Sequence, residues 1–328
     1  MSRRLLLSLC TLVVAALFLP MATLAQARRR PPPDRDRPAV LGPPVLTAHE
    51  WGVFVLEGGR QTSLEALAAE LPPFVQRQAG AVALPPRPNP PPSNGPPPGT
   101  VARKPVLFLY ADRPTQVQVR VGFAGGEPWL LYPSATRVAD VAGPGMPGLV
   151  WNLQVASPLT AAPPAVHPGH WWNDLRAVGA SSVAATDGTS ERFLFYDGPV
   201  AFEPSFLVTH APGGAAVSPA STERTILLVS GNSFVEADVD PERWTSRQVS
   251  TGDMPAMRTR IEQLLRQRGL SGPEARSLLE TWRDELFRDA RRRAIYFVPR
   301  DAYDRMLPIT IVPTPAELVR VGLVIDRG

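Results

Sequence analysis

The chain has 328 residues, a formal net charge of +4, 39 prolines and one cysteine. Cys10 lies in the apolar N-terminal stretch, so the remainder carries no disulfide, thiol nucleophile or cysteine metal ligand. Lys104 is the only lysine, and arginines stand three in a row only at Arg28-Arg29-Arg30 and Arg291-Arg292-Arg293; nucleic-acid binding would require a basic stripe or a recognisable module, so no nucleic-acid partner is expected.

Arg3 and Arg4 precede an apolar stretch from Leu5 to Leu19, and Ala25-Gln26-Ala27 follows as an A-x-A site. That layout predicts a secretory signal peptide over 1–27, cleaved after Ala27. The stretch is shorter than the roughly 20 apolar residues that span a bilayer, so export to the periplasm or the extracellular space is expected, with no stable membrane span after cleavage. Residues 28–44, rich in arginine and proline, read as an extended, disordered leader.

A single β-rich domain is expected over 45–328. In "HEWGVF" (49–54), alternation puts Trp51, Val53 and Val55 on a core-facing side, with His49 and Glu50 at the edge of the first core strand. "SLEALAAEL" (63–71) predicts a short helix stopped by Pro72-Pro73, and 85–99 is a proline-rich insertion that excludes helix or central strand. From Lys104 the pattern is that of short strands: "PVLFLYA" is continuously apolar, while "TQVQVRVGF" alternates with Val117, Val119, Val121 and Phe123 on one face. "HWWND" (170–174) reads as extended chain, its tryptophans pointing to opposite faces.

After Gly252 the period changes. Met257, Ile261, Leu264 and Leu265 share a helical face ending at Gly269, and Ser271 with Glu274 makes a capping box that opens a second helix. This predicts a helical hairpin over 253–290, with Leu278, Leu279, Trp282 and Leu286 docked on the sheet. "AIYFVP" and "LVRVGLVI" return to strand. The expected class is mainly β, an antiparallel sandwich or barrel-like fold with a C-terminal helical hairpin, α+β overall.

Blocks in the order "HEWGVF", "LPPFV", "KPVLFLYAD", "ERFLFYDG", "GLSGPEARSLLETWRDELF" and "IYFVPRDAYDRMLPITIVPTP" resemble an uncharacterised family of exported bacterial proteins with an H-E-W-G motif near the mature N-terminus. The resemblance implies that the blocks form one unit, and it carries no mechanism.

Two chemistries compete for the polar residues. His167 and His170 have an H-x-x-H spacing which, joined by His49 as a third metal ligand and by Glu50 as the catalytic carboxylate, would make a metal- or carboxylate-dependent hydrolase. In a strand His49 and Glu50 point to opposite faces, which favours a structural role with Glu50 paired to an arginine. Trp171 and Trp172 are candidate binding residues, since exposed aromatic rings stack on sugars or anchor partners. No serine-nucleophile elbow, phosphate loop or dinucleotide fingerprint is present, and no cofactor is named by the sequence. The leading expectation is a cell-envelope binding or structural module whose partner is an envelope component, a carbohydrate or a protein.

Overall fold

The computed structural model describes residues 44–56, 69–77, 101–156, 162–211, 214–243 and 245–327. The expected signal peptide, the leader up to residue 43, most of the 63–71 helix and the 85–99 insertion lie outside the described residues.

The fold is mainly β, of the α+β class. One sheet has ten strands in the spatial order Thr245–Asp253, Ser233–Asp240, Thr225–Ser230, Arg293–Val298, Glu317–Asp326, Leu46–Leu56, Val101–Ala111, Leu194–Pro199, Leu130–Tyr132 and Gln76–Arg77. All its pairings are antiparallel except one: Leu46–Leu56 runs parallel to Glu317–Asp326 in the middle of the sheet. A second, six-stranded sheet follows the path Ile309–Val312, Thr115–Gly122, Gly148–Ala156, Ser182–Ala185 and Ser190–Glu191, with Thr136–Val138 paired to Gly148–Ala156. Phe206–Ala211 and Gly214–Pro219 form a separate hairpin.

The large sheet is the middle of three layers. One face packs on the small sheet through Phe54, Leu107, Val119, Val121 and Trp151. The other packs on the helices through Trp51, Val53, Phe108, Phe297 and Leu323. Strands covered on both faces need apolar residues at consecutive positions, and Arg293–Val298 is buried at every position. The small sheet has one covered face, so Thr115–Gly122 alternates, with Val117, Val119 and Val121 buried and Gln116 and Arg120 exposed.

The helical hairpin forms as Met254–Gln267 and Gly272–Thr281. Asp253 caps the first helix, and the Ser271/Glu274 capping box opens the second. Gly269, at φ +102°, makes the turn between them in a backbone region that side chains disfavour. Leu278, Leu279, Trp282 and Leu286 are fully buried against the large sheet. The second helix ends in a π-turn, Asp284–Arg288, where a regular helix was expected to continue. Arg293 explains part of that end: fully buried, it donates to the backbone carbonyls of Leu286 and Asp289, each at 2.6 Å. The basic run 291–293 is therefore partly internal.

Two local readings are corrected. "HWWND" is a helix start, with Trp171 as N-cap of Trp172–Arg176. Arg300–Met306 is a helix that strand patterning did not anticipate; it buries Ala302, Tyr303 and Met306. Among the described residues no helix is long and apolar enough to cross a membrane.

Candidate functional site

The H-E-W-G stretch lies within its strand, which starts three residues before His49, and both faces are covered. Alternation then separates the motif's side chains. Glu50 points to the small-sheet side, where it is fully buried. Arg320 sits opposite it in the parallel register and donates from Nε at 2.5 Å. Tyr303 Oη donates to the same carboxylate at 3.1 Å, and Tyr196 Oη also donates to it. Arg320 reaches Asp304 at 2.6 Å with its other arm and lies 4.4 Å over the Tyr303 ring.

Electrostatics keep this cluster in one state. Burial, then the Glu50 charge, push the Tyr196 and Tyr303 hydroxyls well above their ordinary range, so both remain donors. Burial works against the Arg320 charge, and the Glu50 carboxylate outweighs it. Gly52 completes the arrangement, since a Cβ there would lie 2.7 Å from Tyr303 Oη. The motif's glycine makes room for the tyrosine that its glutamate binds.

His49 faces the helices. Its Nδ1 lies 3.0 Å from the fully buried carboxylate of Glu274, which also accepts from Tyr110 Oη and, at 2.7 Å, from the Ser271 backbone N–H. One side chain thus caps a helix and ties it to two strands. Burial raises the Glu274 pKa, yet hydrogen bonds from His49, Tyr110 and Ser271 outweigh it and hold the group below its ordinary value. Tyr110 is pushed up by its own burial and by Glu274. His49 Nε2 is buried, with no hydrogen-bond partner among the described residues.

The expected metal grouping of His49, His167 and His170 is not assembled. Among the described residues no three His, Cys, Asp or Glu side chains gather as a metal cluster. Glu50, the candidate catalytic carboxylate, is closed off from solvent by Arg320 and two tyrosines. Trp172 is also core: fully buried, it packs on Phe193 and Phe195 and donates from Nε1 to Glu191 at 2.8 Å. Its role as a stacking surface passes to Trp171, which is half-buried.

His167, His170 and Trp171 instead line an open cleft of about 790 Å³. Gly169, at φ +85°, turns the chain between the histidines, and the His170 N–H bonds the His167 carbonyl at 3.1 Å. His170 Nδ1 accepts from the Trp172 N–H at 3.1 Å, which leaves the ring proton on Nε2. Leu71, Pro72 and Pro73 supply an apolar part of the lining, and Glu280, Asp284 and Glu285 line the cleft from the hairpin's second helix and its π-turn.

Sequence reasoning missed the partners, namely Arg320, Tyr196 and Tyr303 for Glu50, and Glu274 and Tyr110 for His49. Glu274 was legible only as a capping residue. Nothing in the spacing signalled Tyr110 or the three partners of Glu50, which lie 146 to 270 residues from it. No protein-family model matches the chain, and comparison with curated proteins and with solved structures returned no match.

Proposed function

We propose that the chain is an exported bacterial cell-envelope protein that acts as a binding module, with its ligand in the cleft beside Trp171. The observation that carries this reading is the open cleft itself, which combines a half-buried tryptophan, two histidines and several carboxylates. Ligand sites combine apolar or aromatic walls with a few polar groups in the same way. The N-terminal pattern of Arg3-Arg4, an apolar stretch and Ala25-Gln26-Ala27 supports export, as does the resemblance to exported H-E-W-G proteins. A hydrolase centred on His49 and Glu50 has less support, because these side chains face opposite layers and Glu50 is fully buried.

The test is co-sedimentation of the purified mature chain with isolated envelope fractions. Wild type should be retained and Trp171→Ala released, both having the same near-UV circular dichroism. Equal retention of the two proteins would remove the cleft from the account.

A further inference from the structure

We infer that the cleft takes an arginine-bearing segment of a partner protein, the guanidinium stacking on Trp171 and donating to Glu285. The inference rests on the cleft being the binding site and adds the chemistry of what enters it.

The ion pairs around the cleft single out one acid. Glu70 is held by Arg103 at 3.3 Å, Glu280 by Arg258 at 2.5 Å and Asp284 by Arg288 at 3.0 Å. Arg283, the cationic member of the lining, already contacts Glu280 at 3.4 Å. Glu285 lines the same cleft with no ion pair among the described residues. A second polar group is also incomplete. Thr281 lines the cleft, is 6% exposed, and its hydroxyl has no partner among the described residues. That oxygen is closed off from solvent, so Glu285 is the group open to a ligand. The neighbouring Asp174 carboxyl is held above its ordinary range by burial and then by Glu280, with Arg283 opposing.

The complement of this set is one cation on an apolar stem. A guanidinium is planar and weakly hydrated; it stacks on tryptophan and forks onto a carboxylate, whereas an ammonium does each less well. An anion would meet Arg283 already engaged. A sugar would find no Asn or Gln side chain in the lining, and the Leu71-Pro72-Pro73 wall suits peptide side chains better.

Fluorescence anisotropy of the full mature chain, at low ionic strength, with labelled Ala-Pro-Arg-Pro-Ala and its citrulline counterpart provides the test. Citrulline keeps the shape and removes the charge. The arginine peptide should bind roughly tenfold more tightly. Glu285→Gln should erase that preference without weakening the citrulline peptide, and Trp171→Ala should weaken both. Equal binding of the two peptides, or a preference that survives Glu285→Gln, overturns the inference. If that variant does not fold, salt decides: the arginine preference must shrink as ionic strength rises, and a salt-independent preference refutes it. An N-acetylglucosamine tetramer that binds and is lost in Trp171→Ala, while both peptides fail, refutes the inference and leaves the cleft as the binding site. Failure of every probe, with no retention by envelope fractions, removes both.

Discussion

The Glu50–Arg320 pair and the cleft beside Trp171 draw on the same residue types, namely acids, arginines and aromatic rings, and differ in what closes them. Around Glu50 both carboxylate oxygens are engaged from inside the molecule, by Arg320, Tyr196 and Tyr303. In the cleft, Glu285 has no ion pair among the described residues, and Pro73 of the apolar lining is exposed. A buried ion pair adds little net stability when complete and costs much when broken. An exposed acid costs almost nothing to neutralise. Stability should therefore be sensitive at Glu50 and indifferent at Glu285, and binding should show the reverse.

The largest effect is expected from Glu50→Gln. It leaves the buried Arg320 guanidinium with only the more exposed Asp304 as counter-charge, which should cost about 3 kcal/mol, read as a lowered denaturation midpoint with an unchanged slope. A mild outcome would mean that water reaches the cluster. Glu274→Gln comes next, at about 1–3 kcal/mol at neutral pH, because it weakens acceptance from His49, Tyr110 and Ser271 together. The folded Glu274 pKa lies below the ordinary 4.5, so its stabilisation is present above that value and is lost as pH falls through the depressed folded value. Wild type should lose melting temperature on acidification below about 4.5, and Glu274→Gln should show a shallower acid limb; parallel curves would exclude this group. The smallest effect is expected from Glu285→Gln, within about 0.5 kcal/mol by denaturation. A large loss would show that Glu285 holds the π-turn and is not reserved for a ligand.

Much of the architecture was legible from local pattern. The alternation in "TQVQVRVGF" reads a one-sided strand, and the Ser271/Glu274 box with Leu278, Leu279 and Trp282 reads a docked helix; both signals span a few residues. The Leu46–Leu56 strand was read as half-buried, although "HEWGVFVL" carries apolar residues at both parities, Trp51 and Val53 on one side and Phe54 on the other. Two covered faces were thus available in the sequence and were read as one. "HWWND" misled because adjacent bulky aromatics resemble a strand, whereas the turn at Gly169 hands the chain to a helix. The candidate sites were least legible. His49 to Glu274 spans 225 residues and Glu50 to Arg320 spans 270, and such partners are fixed by sheet register, which composition and spacing do not carry. The cleft was half-visible: "HPGH" and "WW" named one wall, and the hairpin that supplies the other had been read only as packing.

The parallel pairing of Leu46–Leu56 with Glu317–Asp326 also sets an order of events. A chain that emerges N-terminus first, from a ribosome or through a translocation pore, holds the first strand of the described fold ready while the neighbour that completes it is the last strand of that fold to appear. Until then the strand has an open edge of backbone donors and acceptors, and Glu50 waits without Arg320. The hairpin helices cannot seat finally either, since the face they cover includes Val319, Val321 and Leu323 from the late strand. Such long-range closure makes folding slow and all-or-none. A ribosome stalled before residue 317 would display a nascent chain that chaperones and proteases treat as unfolded, and emergence of Glu317–Asp326 should convert it to a protease-resistant form in one step.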